Sequence, residues 1–240
     1  MIRLAVWSGP RNISTTMMRS WGNRSDTFVC DEPLYAYYLN STGKPHPGAA
    51  DVISHGETDW RKAVHWLTGP IPEGKTVWYQ KQMSHHLLPE IDRTWLDNVT
   101  NAFLLRHPRD VLTSYLKIVP DPTFEDTGYP QQVEIFEWVR SRLGITPPVL
   151  DSRDILDNPR HQLALMCDAL GLDFQESMME WEPGIRATDG VWARHWYSEV
   201  ETSTTFRPYK PKPDQVPREF LPLYEQCLAC YEKLYEHRLH

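Results

Sequence analysis

The chain has 240 residues, 40% hydrophobic and 24% charged, with a net charge of −7 and a pI near 5.8. That length supports a substantial core and predicts one domain over residues 1–240, while the acidic balance argues against nucleic-acid binding, which needs a basic face. No apolar run can span a bilayer, the first ten residues do not form a signal peptide, and four cysteines are too few for a disulfide framework, so the expected location is the cytoplasm.

Ile2 to Trp7, apolar apart from Arg3, reads as a buried strand. Gly9, Pro10, Arg11, Asn12, Ile13, Ser14, Thr15 and Thr16 follow, and then a helical run through Met17, Met18 and Trp21. Strand, tight loop and helix start are the layout of a phosphate-binding loop. The lysine of the usual nucleoside-triphosphate loop is missing and Arg11 is the one cation, which disfavours ATP hydrolysis. A purely structural strand-to-helix turn is the alternative.

A second strand is predicted near 27–30, leading to Cys30-Asp31-Glu32-Pro33-Leu34-Tyr35. Glu32, at an apolar strand end, could act as a base with a raised pKa or be a surface or helix-start carboxylate. Ser41 to Gly48 reads as a loop. The third strand, near 76–81, ends at Lys81, with His85 and His86 just beyond. An imidazole suits base chemistry near neutrality; a solvated pair or a hydrogen-bonding post is the alternative.

The fourth strand, near 102–106, leads into Arg106-His107-Pro108-Arg109-Asp110-Val111-Leu112-Thr113-Ser114. Pro108 suits the first turn of a helix. An arginine and a helix start at a strand end favour an anion, with Ser114 one turn beyond Asp110 on the same face. Arg106 paired with a carboxylate is the alternative.

Pro120 to Pro130 reads as an acidic loop, 147–152 as the fifth strand, and Asn158-Pro159 as a helix start whose stop is Gly171. Phe206 to Pro217, with four prolines, should run extended. Cys227 and Cys230 fall in a helical pattern (Phe220, Tyr224, Leu228, Tyr231, Leu234) and read as helix thiols rather than zinc or redox ligands. Most of the ten tryptophans read as core or rim. Five strands alternating with helices predict an α/β fold: a mainly parallel central sheet with helices on both faces.

Together, Pro10-Arg11 with Ser14-Thr15 and the run Arg106-x-Pro108-x-Asp110-x-x-x-Ser114 resemble the PAPS-dependent sulfotransferase family. Ile13 stands where that family often has glycine. Glu32-Pro33-Leu34 resembles the carbohydrate-type members, 151–159 resembles a late strand-exit segment, and Gly190-Val191-Trp192 resembles the motif that closes over the cofactor. Ala193 replaces the lysine common there, and Arg194 and His195 follow.

The resemblance implies the P-loop NTPase-like sulfotransferase fold and PAPS as donor, with PAP as product. The loop Gly9, Pro10, Arg11, Asn12, Ile13, Ser14, Thr15 and Thr16 would take the 5′-phosphosulfate. Arg106 and Ser114 would take the 3′-phosphate, and Trp192 would cover the nucleotide. Lys81 would face the sulfuryl group or form a surface salt bridge. Arg11, Glu32, His86 and Lys81 are the catalytic candidates, with Glu32, His85 and His86 competing as base. The acceptor would be a hydroxyl on a small molecule or carbohydrate, with no metal and no nucleic-acid or membrane partner. An ATP-magnesium phosphotransferase and a catalytically silent nucleotide-binding module are the alternatives.

Overall fold

A computed structural model describes residues 1–211 and 214–240. Five strands form one sheet: β1 (Ile2–Ser8), β2 (Thr27–Asp31), β3 (Val77–Met83), β4 (Thr100–Leu105) and β5 (Val149–Asp151). Their order is β2-β3-β1-β4-β5, and every neighbouring pair is parallel. Each predicted strand is present. β5 is short, because only Val149, Leu150 and Asp151 are paired with β4.

Side chains alternate across the sheet, so each strand feeds two cores. Ala5, Trp7, Trp78 and Phe103 face one layer, with α4 (Trp60–Leu67), α6 (Tyr129–Leu143) and α11 (Leu221–Tyr235). Leu4, Val6, Tyr79 and Leu104 face the other, with α1 (Ser14–Gly22), α7 (Ser152–Asp157) and α8 (Pro159–Ala169). Helices thus cover both faces, as parallel pairing requires. Trp7, Trp21 and Trp78 are fully buried.

Helix boundaries follow cap chemistry. Asn158 accepts from the His161 N–H, and Pro159 opens α8. Pro108 opens α5 (Pro108–Tyr115), where the His107 ring nitrogen accepts from the Arg109 N–H. Two predicted loops need correction. Ser41 and Thr42 belong to α2 (Tyr35–Thr42), which stops where Gly43 turns left-handed. Tyr129 and Pro130 belong to α6, because proline fits a first helical turn. Of the predicted extended stretch 206–217, residues 212 and 213 lie outside the described residues. The remaining α-helices are short: α3 (Ala49–His55), α9 (Ala193–Trp196) and α10 (Ser198–Glu201), and 3-10 turns, among them Ser84–His86, occupy parts of the connections.

After β1 the chain crosses toward β2, whereas after β4 it crosses toward β5. The carboxyl ends of β1 and β4 therefore flank the switch point where ligands bind in open α/β sheets.

Candidate active site

Both anion segments meet at that point. Loop 9–13 leaves β1, and Arg106 follows β4. Arg106 donates through Nη1 to the Arg11 carbonyl at 2.6 Å, and Arg11 donates through Nε to Ser114 Oγ at 3.0 Å. Arg106 has no carboxylate partner among the described residues, which removes the ion-pair alternative. Arg11 is placed with Ser114 rather than at the head of α1. Its positive φ of 57° turns the chain so that its side chain reaches the β4 side. Burial first, and Arg106 second, lower the Arg11 pKa, and an anion between the two guanidinium groups would relieve both effects.

The head of α1 is a second cradle. Its first helical bond runs from the Met17 N–H to the Ile13 carbonyl at 3.0 Å, which leaves the amides of Ser14, Thr15 and Thr16 without helical partners. Ile13 adopts φ −87°, so no glycine is needed there, and Asn12 Oδ1 accepts from its N–H at 2.8 Å. Gly9 is required on steric grounds: a Cβ there would lie 2.5 Å from the Thr127 carbonyl oxygen.

Between these cradles and the edge of the sheet lies a cavity of about 350 Å³. Pro10 to Thr16 and Arg106 line one part of it; Glu32, Lys81, His85, His86 and Trp192 line another. Lys81 and Asp31 are register partners on adjacent parallel strands. The Lys81 ammonium donates to Asp31 Oδ1 at 2.7 Å, Glu32 Oε1 at 2.5 Å and the Tyr197 hydroxyl at 2.7 Å. These engage all three of its N–H groups, so none is left for a sulfuryl oxygen in this arrangement, contrary to the sequence expectation. Nor is Lys81 a surface salt bridge, since it is 1% exposed. Burial lowers its pKa, but Asp31, Glu32 and Tyr197 outweigh that and hold it well above the usual lysine value.

Glu32 is neither a surface nor a helix-start carboxylate. Its side chain is 12% exposed and its φ is 43°, a strained conformation of the kind that clusters at functional sites. Burial pushes its carboxyl up, Lys81 opposes this, and Asp31 adds to it. His85 and His86 are buried as well, not solvated. His86 stacks on Tyr35 and Tyr38, each at 4.7 Å between centroids. Burial drives the His85 pKa down to about 3 and the His86 pKa well below the usual value.

The late segment closes onto this centre. The Tyr197 hydroxyl donates to Asp31 Oδ2 at 2.6 Å and accepts from Trp192 Nε1 at 3.2 Å. The Gly190 N–H also reaches Asp31 Oδ2, at 3.2 Å. Arg19 pairs bidentately with Asp189 at 2.5 and 2.6 Å, with both side chains buried. Sequence reasoning missed Asp31, Tyr197 and the Arg19–Asp189 pair. The available signal was Arg19 inside the apolar run Met17-Met18-Arg19-Ser20-Trp21, because a buried cation requires a partner. Arg194 is exposed and carries an ion pair with Asp51 at 3.8 Å. His195 lines the cavity. Cys227 and Cys230 lie on α11. Burial raises the Cys227 pKa to about 11.

The sulfotransferase domain family matches residues 2–234. The chain belongs to the sulfotransferase family. It is 34% identical over 235 residues to the branched-chain-amino-acid aminotransferase-like protein 2 of Arabidopsis thaliana, a match over 98% of this chain and 42% of that relative. The like-named protein 1 of the same plant matches with the same identity and the same coverages. This sulfotransferase-family chain thus spans about two fifths of the length of those curated relatives.

Among solved structures, the fold is shared with a sulfotransferase from Alicyclobacillus acidocaldarius (TM-score 0.59, 12% identity, 100% of this chain and 97% of that one). It is also shared with the sulfotransferase domain of the Synechococcus PCC 7002 olefin synthase (TM-score 0.56, 18% identity, 93% of each chain). The sheet and its helices are therefore the sulfotransferase fold. No helix among the described residues is long and apolar enough to cross a membrane.

Proposed function

We propose that this chain transfers a sulfuryl group from PAPS to a hydroxyl acceptor. The observation that carries the reading is the convergence of two anion cradles on one cavity that also holds a buried carboxylate. Arg106, Ser114 and the amides at the head of α1 suit the two phosphate ends of one adenosine bisphosphate. When bound, PAPS supplies the sulfuryl group: its sulfur–bridging-oxygen bond breaks as the bond to the acceptor oxygen forms, and PAP leaves with the electron pair.

Glu32 takes the acceptor proton. Its Oε1 is held by Lys81, while no donor among the described residues engages Oε2. Its raised basicity suits proton abstraction. His86 is the weaker base, because burial lowers its pKa well below the usual histidine value; with His85 it walls the cavity. Lys81 is a positioning residue that fixes Glu32. Arg11 and Arg106 offset the charge of the bisphosphate.

Calorimetry with PAP tests the reading. The wild-type chain should bind at micromolar concentration, and Arg106→Ala should weaken binding roughly 10- to 100-fold, the loss of a charge-assisted hydrogen bond worth about 1.5–3 kcal/mol. Absence of binding, or equal affinity in the variant, would overturn it.

A further inference from the structure

A second cavity, of about 420 Å³, lies on the other side of Glu32. It shares only Glu32 and Trp192 with the first, so the two cavities adjoin at these residues. Its walls include Ala36, Val52, Ala63, Val191 and Trp66. Trp66 is 44% exposed and rests edge-on against Trp78 at 4.7 Å. The exposed residues His55, Glu57 and Lys62 give it a polar edge.

The other carboxylates of its inner wall are committed. Asp189 is held by Arg19, and Asp31 by Lys81, Tyr197 and the Gly190 N–H. Glu57, at the exposed edge, accepts from the Asp59 N–H; of the carboxylates on the inner wall, Glu32 alone keeps an oxygen without a protein donor among the described residues. In-line displacement requires the attacking oxygen to approach sulfur from the side opposite the leaving oxygen. A donor held in the cradled cavity and an acceptor entering past Glu32 and Trp192 would approach one another from different sides of those two residues.

We infer that the second cavity is the acceptor site, taking an alcohol or phenol on an apolar body whose hydroxyl reaches Glu32 beneath Trp192. The inference rests on the donor reading above for its chemistry, but not for its location. An apolar-walled cavity with one convergent polar group suits such a ligand. A charged acceptor would find no unpaired buried counter-charge there besides Glu32. The hydroxyl proton goes to Glu32, and the acceptor oxygen forms the new bond to sulfur as the bond to PAP breaks.

The probe is 2-naphthol, soaked into crystals of the chain with and without PAP and titrated calorimetrically against both forms. Lys62→Trp fills the mouth from an exposed position, and Trp66→Ala removes a wall. The expected result is naphthol density between Trp66 and Glu32. Either substitution should weaken naphthol binding at least tenfold while PAP affinity stays within twofold. Naphthol seated instead beside His85 and His86, naphthol affinity unmoved by both substitutions, or no naphthol binding to the PAP complex would overturn the assignment. Failure of PAP binding, with naphthol still found in the second cavity, would count against the donor reading and leave this one standing.

Discussion

At the residue scale, the buried triad Asp31–Lys81–Glu32 holds two carboxylates around one ammonium. The two carboxylates therefore respond differently to substitution. Lys81→Met leaves both without their cation at a largely buried site, and breaking a buried pair in this way costs about 3–5 kcal/mol; urea unfolding should show that loss. Glu32→Gln keeps the Lys81–Asp31 pair at 2.7 Å and removes a carboxylate whose charge burial disfavours. Its unfolding free energy should be no lower than wild type, while transfer to acceptor falls by roughly 10²–10⁴, the usual contribution of a positioned base. The sign of the pH dependence follows from the raised pKa. Below it Glu32 carries a proton and cannot accept another, so kcat/KM should rise with pH along a limb lying above the ordinary glutamate range. That limb should vanish in Glu32→Gln. A limb that persists would move the base elsewhere.

At the scale of elements, the segment after Gly190 is fastened at two points and depends on one missing side chain. A Cβ at Gly190 would lie 2.1 to 2.3 Å from three atoms of the Trp192 indole. Gly190→Ala should therefore displace the indole and break its bond to Tyr197, at about 1–3 kcal/mol for overpacking. A fall in Tm together with weaker PAP binding, measured by scanning calorimetry and titration, is the expected pair of results; an unchanged Tm would refute the packing account. The glycine and the tryptophan were legible in the sequence, as were the strand–loop–helix at 2–22 and the Pro108 helix start, because these are local patterns. Tyr197 was not legible. Its role depends on Asp31, 166 positions away, and no local pattern announces such a pairing. Ile13 also misled: in the pattern it stands for a glycine, but the left-handed turn falls on Arg11. The burial of His85 and His86 was equally hidden, since it arises from Tyr35 and Tyr38 on α2, a helix that the sequence pattern did not announce.

At the scale of the whole molecule, an acidic chain builds a basic cleft by placing its few converging cations at the switch point of a parallel sheet. The same cleft sets the acid stability of the fold. His85 and His86 are neutral in the folded chain, with pKa values depressed by burial to about 3 and to well below the usual value. In the unfolded chain both protonate near pH 6.5. The unfolded state thus binds more protons below that point, and stability falls as pH drops from about 6.5 toward the folded pKa values. Asp151 works in the opposite sense. Burial raises its pKa from 3.8 to about 6, so it favours the folded state as pH falls through that window and masks part of the loss. The histidine contribution is therefore best read as a difference. His86→Phe keeps a ring between Tyr35 and Tyr38 and removes one proton site. Urea unfolding of both proteins from pH 4 to 7 should show the variant gaining on wild type by about 1.4 kcal/mol per pH unit below 6.5, and by nothing above it. A constant offset across that range would mean that His86 titrates in the folded chain as it does in the unfolded one. That result would return it to candidacy as the base, because an imidazole with an ordinary pKa is unprotonated often enough near neutrality to accept a proton and basic enough to hold it.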